Sequence, residues 1–508
     1  MRLFLFCVGG TGSRVLRPLA MLLASGVLPK DAEGRRMPLE VVPMVVDPHR
    51  ANEDVKRTEN ILRHYRSIRH AVYGEQTDVK EGFFAAKIST LKDVVRNESG
   101  LSDSFLYNIS AIESRRFRDL IAYNTLDTAN QALCSLLFSN YQLDTKMDIG
   151  FVGSPNIGSV ALNKIKDSEE FRQFSNVFQK DDRIFVISSI FGGTGAAGYP
   201  IIVNNIRDAA GNTGLNNRGD LRNARIGALT VLPYFNIQHD ENSPISRADF
   251  ISKTKSALFY YHDNVTGMRT DEDDMPTDAK VNACYYVGDE VPSTPYYNDP
   301  GAGGQRNDAH FVEFVGALSV FDFLSMPDAE LLTVDGKARN AVFKEYGLST
   351  DTQTVTLNDL GTATRRDIGK QWTKWHIAYM YVRQRLRHDI GRGYTLDRPE
   401  IRRDFLSTAF FSNLETHFFG AYEQWLTEMH YNRRSFTPFK LDATSPGNCV
   451  TGRERHGSLL RRSNDYRHVL AALNKTSMKY TFAKGEEPRK LLTLLNEALE
   501  KIVENEAE

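Results

Sequence analysis

The tetrapeptide Gly-Gly-Thr-Gly occurs twice in this chain, at residues 9–12 and 192–195. Each copy directly follows an apolar run typical of a buried strand and directly precedes a helical pattern. Unpaired backbone amides and the helix dipole converge at a helix N-terminus and favour an anion there. Glycine also lets the main chain approach a phosphate closely, because it carries no Cβ atom. Two such turns predict that both ends of a phosphate chain are held, which is the chemistry of a nucleotide-binding protein.

Two other nucleotide-binding motifs fit these turns less well. A dinucleotide fingerprint, G-x-G-x-x-G, read from Gly10 has Val15 where its third glycine belongs. Neither turn contains the GxxxxGK[ST] pattern of P-loop NTPases, which argues against that class. A Rossmann-type dinucleotide-binding oxidoreductase stays open as an alternative interpretation.

Strands and helices alternate among the elements predicted around these turns. The apolar runs lack polar alternation, so they suit parallel strands that are covered on both faces. This order predicts an α/β fold with a doubly wound parallel sheet, in which ligands bind at the carboxyl ends of the strands. Residues 75–146 are less regular, with a predicted helix pair at 103–122 and 126–139, and we interpret them as an insertion. The strands are predicted at 3–8, 39–46, 149–152, 184–190, 225–232 and 283–287, and the main helices at 13–24, 51–72, 196–208 and 245–262.

The alternation of predicted strands and helices ends after residue 304. Residues 307–324 are helical and apolar on nearly all sides, as expected of a helix buried between two bodies. We therefore predict a nucleotide-binding domain at 1–304, a central helix at 305–325 and a mainly helical C-terminal domain at 326–508. The helices of that last domain are predicted at 365–390, 403–430, 457–473 and 486–505.

The composition of the chain argues against several classes of protein. The 508 residues carry a formal net charge of −1, so no overall positive field favours nucleic acid as a partner. The four cysteines include no CxxC pair, which argues against a zinc site or a disulfide framework and fits a reducing cytoplasm. No apolar run reaches the roughly 18 to 20 residues that a membrane-spanning helix needs. The sequence therefore predicts a cytoplasmic protein without a membrane span.

The motifs, taken in order, resemble those of the tubulin/FtsZ superfamily, and in particular of its divergent bacterial tubulin-like branch. Residues 190–198, Ile-Phe-Gly-Gly-Thr-Gly-Ala-Ala-Gly, are similar to the signature GGGTGSG, with Phe191 in place of one glycine. The order of all six elements over about residues 1–325 matches the family. The remaining similar stretches are 8–14 (first phosphate loop), 45–48 (second loop), 151–158 (third loop), 232–235 (exit of the fifth strand toward the ribose) and 305–324 (central helix).

This resemblance implies a tubulin-like fold that binds GTP or GDP with Mg²⁺. Asp47 would reach the metal, directly or through its waters, although it could instead only cap a helix. Asn307, and after it Asp308, would read the base, unless Asn307 is a plain helix N-cap. Asn156 would contact phosphate unless it is only a turn residue. The implied cofactor-binding residues are Gly9, Gly10, Thr11, Gly12, Ser13, Arg14, Asp47, Gly153, Ser154, Asn156, Gly158, Gly192, Gly193, Thr194, Gly195, Ala196, Asn307 and Asp308.

The resemblance also implies a GTPase whose subunits assemble head to tail. In that family an acid from the loop after the central helix activates water in the neighbouring subunit. The usual NxDxx(D/E) pattern is not clearly present here, and Asp359 is the nearest candidate for the catalytic acid. The alternative is a nucleotide-sensing scaffold that does not hydrolyse its ligand and binds another protein through the helical C-terminal domain.

Overall fold

A seven-stranded sheet, parallel throughout, forms the centre of the protein. The computed structural model describes residues 1–50, 52–95, 100–109, 112, 115–151, 153–237, 247–266, 280–291, 295–296, 307–332, 341–346, 352–452 and 465–504. The spatial order of the strands is β3-β2-β1-β4-β5-β6-β7. The strands are β1 Arg2–Val8, β2 Glu40–Val46, β3 Lys87–Ile88, β4 Arg183–Ser189, β5 Arg225–Val231, β6 Ala283–Val287 and β7 Val342–Tyr346.

Helices cover this sheet, and the predicted α/β class is confirmed. Every residue of β4 and of β5 is buried, so both faces of the sheet centre are covered. This explains why these strands read as continuous apolar runs. The principal helices here are α1 Gly9–Ala24, α2 Glu53–Tyr73, α3 Pro155–Leu162, α4 Glu169–Val177, α5 Gly193–Arg207, α6 Arg247–Asn264 and α7 Phe311–Ser325.

The sequence prediction differs from the structure in several elements. The segment interpreted as an insertion contributes β3, which pairs with β2 as an edge strand. The second helix of the predicted pair is confirmed as Thr128–Leu137, whereas the first is reduced to Phe117–Leu120, and the short helices Leu91–Val95 and Asn140–Asp144 were not predicted. The strand predicted at 149–152 is wrong over 149–151, where the structure has the end of a 3₁₀ turn and coil, and residue 152 lies outside the described residues. Strand β7 extends the sheet beyond the central helix, in a region predicted to be mainly helical.

The C-terminal region is mainly helical, as predicted. Its main helices are α8 Lys370–Gln384, α9 Phe419–Tyr431, α10 Tyr466–Ser477 and α11 Glu487–Glu504. Thr354–Val355 and Ser435–Phe436 add a short parallel strand pair. The first part of the helix predicted at 457–473 falls on residues 453–464, which lie outside the described residues.

An aromatic core joins the C-terminal region to the sheet domain. The Trp375 ring packs against Phe83 and Phe84, with ring centroids 5.1 and 5.3 Å apart. Phe418 and Phe419 contact the same tryptophan and are fully buried. The aromatic stretch at 405–422 is therefore core, and it fixes the C-terminal helices against α2 and the segment before β3. Within the described ranges, no helix is long and apolar enough to cross a membrane.

Candidate functional site

The two Gly-Gly-Thr-Gly turns meet at the point where the strand order of the sheet reverses. They follow β1 and β4, which are neighbours, and the chain builds the sheet outward from this pair in both directions. Open α/β sheets bind ligands at such a switch point, beyond the carboxyl ends of the strands. A Cβ atom added at Gly9 would lie 3.5 Å from both the Thr194 Cβ and the Gly195 amide nitrogen. The two turns are therefore in direct contact, as a shared phosphate site requires.

Close backbone packing explains the last glycine of each turn. A Cβ atom at Gly12 would lie 2.5 Å from the carbonyl carbon of Cys7, and one at Gly195 would lie 2.6 Å from the Ser189 oxygen. Each glycine thus lets its helix begin directly over the end of its own strand. The described residues provide no side-chain N-cap for α1 or α5, and neither helix has an acidic residue in its first turn. The N-cap residues of both helices thus leave the first-turn amides uncapped within the described part of the chain, and an anion is the partner that such amides favour.

These helix starts line a cavity of about 190 Å³. That volume lies below the roughly 300–1,000 Å³ of pockets that enclose drug-sized ligands, so the described lining would enclose only part of a nucleotide. Ten of the lining residues are among those predicted from the sequence: Gly9, Gly10, Thr11, Arg14, Gly153, Gly192, Gly193, Thr194, Gly195 and Asn307. The others are Asn52, Asp54, Ser189, Phe191, Tyr234 and Phe235.

Most of the predicted third loop does not reach this cavity. Of the loop residues that the structure describes, only Gly153 lines it, while Asn156 is exposed and its side-chain oxygen accepts a hydrogen bond from Gln142 at 3.4 Å. The Ser154 hydroxyl accepts from the same amide at 3.3 Å. Gly158 has a packing role, because a Cβ atom there would lie 2.8 Å from the Gly193 oxygen on α5. Asn156 is in the first turn of α3 and not in a turn between elements, and it is not among the described residues that line the cavity.

Three further residues that were predicted to bind the cofactor have contacts or positions outside the cavity lining. Ser13 is buried, and its hydroxyl donates to the Asp54 carbonyl at 3.4 Å. Ala196 is buried in the first turn of α5. Asp308 is exposed, and its main-chain oxygen accepts a hydrogen bond from Arg14. None of the three is among the described residues that line the cavity.

Arg14 lines the cavity, but its guanidinium group forms hydrogen bonds and ion pairs that stabilise the fold. Its Nε donates to Glu313 at 2.7 Å, and one terminal nitrogen donates to Asp54 at 3.2 Å and to the Asn307 carbonyl at 3.0 Å. The other terminal nitrogen donates to the Asp308 carbonyl at 2.7 Å and pairs with Glu313. Burial alone would lower the pKa of Arg14, but the charges of Glu313 and Asp54 raise it well above its ordinary value. The guanidinium is therefore charged and committed to protein partners, so it positions residues 307–308 instead of binding phosphate.

The segment before α7 is held from both sides. The Ala309 amide donates to Glu428 at 3.0 Å, and the Asn432 side chain donates to the Ala309 carbonyl at 3.0 Å. Glu428 also pairs with Arg57 of α2 at 2.7 Å. The C-terminal helix α9 thus helps to fix the residue next but one to Asn307.

Asn307 is one of the residues that line the cavity. It is not the N-cap of α7, because that position is His310, whose Nδ1 accepts from the Val312 amide at 3.1 Å. Among the residues that the structure describes, the side-chain amide of Asn307 makes no hydrogen bond, while its main-chain oxygen is held by Arg14. An amide offers a donor and an acceptor together, which suits the edge of a base.

The carboxylates near the cavity do not fit a protein-ligated magnesium ion. Asp54, which lines the cavity, is paired with Arg14 and with Arg17 at 2.9 Å. Asp47 is buried, does not line the cavity as described, and accepts a hydrogen bond from the His49 amide at 2.9 Å. Burial raises the pKa of Asp47 to about 7, although that amide opposes the shift. Within the described ranges, no group of three or more His, Cys, Asp or Glu residues could hold a metal ion.

Asp359 also lies outside the cavity lining. Its carboxylate accepts hydrogen bonds from the Thr356 amide at 2.7 Å and hydroxyl at 2.8 Å, at the start of the 3₁₀ turn Leu357–Asp359. Asp359 is thus a local capping residue within its own chain. A catalytic role across a subunit boundary stays a prediction.

The aromatic residues of the cavity are not among the predicted cofactor-binding residues, although the resemblance placed the stretch 232–235 at the exit toward the ribose. Phe191 stands where the resembled signature has glycine, and this departure was the signal available. Tyr234 and Phe235 follow β5 after two intervening residues and line the cavity. Asn52 and Asp54 are at the start of α2, where Asn52 accepts from the Asp54 amide at 2.9 Å as the N-cap. Asn52 fills the capping role that had been an alternative for Asp47.

Comparisons of this chain with protein-family models, with curated proteins and with solved structures find no match. The likeness to tubulin-like proteins therefore rests on the order of the motifs, and the ligand and activity that it implies are proposals.

Proposed function

We propose that this chain is a nucleotide-binding protein whose two glycine turns hold the phosphate groups of GTP or GDP. The observation that supports this most is the contact between the two turns at the β1–β4 switch point. There, the starts of α1 and α5 lack side-chain caps among the described residues and line one cavity. Such helix starts bind phosphate through backbone amides and the helix dipole. Guanine as the base is proposed from the resemblance to tubulin-like proteins.

One feature of the cavity favours nucleotide binding without hydrolysis in the isolated chain. Asp54 is the carboxylate among its described lining residues, and two arginines neutralise it. A general base needs an available lone pair within reach of the attacking water. We therefore propose that a single chain binds GTP without hydrolysing it. A GTPase in head-to-tail assemblies would take its acid from the neighbouring subunit.

Equilibrium dialysis against GTP, ATP and NAD tests the binding proposal. We expect GTP to be retained and Thr194→Val to weaken it about 10-fold or more, because a hydrogen bond to a charged group contributes roughly 1.5–3 kcal/mol. Thr128→Val is the matched control, since Thr128 is also in the first turn of a helix but is exposed and away from the cavity. Retention of NAD alone would favour the oxidoreductase interpretation, and retention of none of the three would contradict the proposal.

A second measurement separates the scaffold from the assembling GTPase. Phosphate release is followed over a range of protein concentrations, with electron microscopy of the same samples with and without GTP. Specific activity that rises steeply with concentration, together with filaments, supports assembly-coupled hydrolysis. Intact GTP after long incubation supports the scaffold. Turnover at a specific rate independent of concentration would contradict both.

A further inference from the structure

Three aromatic rings form one wall of the cavity. Phe191 follows β4, and Tyr234 and Phe235 follow the neighbouring strand β5. The Phe191 and Phe235 ring centroids are 5.2 Å apart, and those of Tyr234 and Phe235 are 5.1 Å apart, both in edge-to-face geometry. We propose that this aromatic wall, Phe191–Tyr234–Phe235, is the subsite that stacks the base of the bound nucleotide. This inference rests on the proposed function.

The wall is held in place by polar contacts behind it. The Tyr234 hydroxyl donates to Glu313 at 3.1 Å, and its ring packs on His310 at 4.8 Å. Tyr234 is only 4% exposed and Phe191 8%, whereas Phe235 is half-buried. Tyr234 and Phe191 are therefore the buried part of the wall, and Phe235 is the most exposed of the three rings.

A phosphate chain gives no reason for aromatic rings at this position. Phosphate needs donors, which the glycine turns supply, and apolar rings cannot solvate its charge. A planar base, in contrast, gains from an aromatic surface, and this gain is similar for all bases because each has a π-face. Asn307 lines the same cavity and can contact the edge of a base. The structure thus assigns affinity for the base to Phe235 and discrimination between bases to Asn307.

This division of roles makes the ligand a nucleotide rather than a polyphosphate. Affinity for GTP and ATP should depend on the ring at position 235, whereas affinity for inorganic tripolyphosphate should not. Changing Asn307 should alter the GTP-to-ATP preference without removing the stacking contribution.

Isothermal titration with GTP, ATP and tripolyphosphate tests the inference. Phe235→Leu should weaken GTP and ATP by a similar factor of about 5- to 150-fold, the range that corresponds to the measured contribution of base stacking. Tripolyphosphate affinity should not change. Phe235→Trp keeps an aromatic face and should bind GTP at least as well as the native chain. The control Phe259→Leu alters a 73% exposed ring on α6 and should change nothing.

The outcomes separate the two proposals. Native chain that binds neither GTP nor tripolyphosphate overturns the proposed function. Native chain that binds GTP, with Phe235→Leu equally tight or Phe235→Trp as weak as Phe235→Leu, overturns the aromatic subsite alone. Equal native affinity for GTP and tripolyphosphate overturns the subsite as well, because the base would then contribute nothing. Thermal unfolding of each variant is measured in parallel, so that a loss of fold is recognised.

Discussion

Alanine substitution at Gly10 and at Gly12 should separate ligand binding from folding within a single turn. Among the described residues outside its own helix, a Cβ atom added at Gly10 would have one neighbour within 4 Å, the Asn52 Nδ2 at 3.6 Å, which is an ordinary contact. A Cβ atom at Gly12 would lie 2.5 Å from the Cys7 carbonyl carbon and 3.0 Å from the Ile187 oxygen, and neither backbone atom can easily move. Gly10→Ala therefore fits the fold, and Gly12→Ala does not.

The two substitutions should change different properties: Gly10→Ala should weaken nucleotide binding without loss of stability, whereas Gly12→Ala should lower the stability of the fold. Gly10 is in the first turn of α1, and alanine gains up to about 1 kcal/mol over glycine in a helix, so the melting temperature should stay level or rise. Its methyl group would stand at the cavity wall and keep phosphate from approaching the main chain. Loss of one charge-assisted hydrogen bond, about 1.5–3 kcal/mol, weakens nucleotide binding roughly 10- to 150-fold. Gly12→Ala should instead lower stability by about 1–3 kcal/mol or more through overpacking.

Titration calorimetry with GTP and thermal unfolding of the same samples provide the assay. Gly420→Ala is the matched control, because Gly420 is in α9 with an ordinary backbone angle, and a Cβ atom added there would meet no other part of the described chain within 4 Å. That control should bind GTP as the native chain does. A folded Gly10→Ala protein with native affinity would refute the reasoning that phosphate contacts this turn, and a Gly12→Ala protein of native stability would refute the packing argument.

Three further changes test the surroundings of the cavity. Glu428→Ala removes the acceptor of the Ala309 amide, so we expect urea denaturation to show a loss of about 1–3 kcal/mol and calorimetry to show weaker GTP binding. Burial lowers the pKa of His310 from 6.5 to about 4, so stability should fall by up to roughly 3 kcal/mol as the pH drops from about 6.5 to 4. His310→Asn keeps a capping oxygen and should lose that pH dependence in urea denaturation. Burial raises the pKa of Asp47 from 3.8 to about 7, so native stability should fall as the pH rises through this range. Asp47→Asn should therefore gain up to roughly 4 kcal/mol over the native chain between pH 4 and 8.

The strands and turns that were predicted correctly are determined by residues that lie close together in the chain. Strand β5 was expected at 225–232 and is Arg225–Val231, because a fully buried strand is visible as an unbroken apolar run. Both glycine turns lie at the carboxyl ends of adjacent strands, as the strand–turn–helix order required. The helices begin earlier than predicted, at Gly9 and Gly193, because an apolar periodicity starts only after the glycines that form the first turn.

The features that it missed depend on distant residues or on very short elements. Arg14 contacts Glu313, which is 299 positions away, and no local pattern couples the two. The guanidinium was therefore predicted to bind phosphate, although its partners are carboxylates and two carbonyls. Strand β3 has only two residues, which is too few for any periodicity. Most of the charged β7 is exposed or half-buried and lacks the apolar run of a central strand.

Because the Arg14 guanidinium is paired with protein groups, its charge is not available to an anion in the cavity. Arg14 is the basic side chain among the described lining residues, and its charge is balanced by Glu313 and Asp54. Under the proposed function, the described lining would attract phosphate through backbone amides and the two helix dipoles, whose partial charges are fixed in place by the sheet. Such donors lose no side-chain entropy when a ligand binds, and no side-chain truncation removes them. For this reason substitutions that reshape the main chain, such as those at Gly10, test the site more directly than removal of a charged side chain.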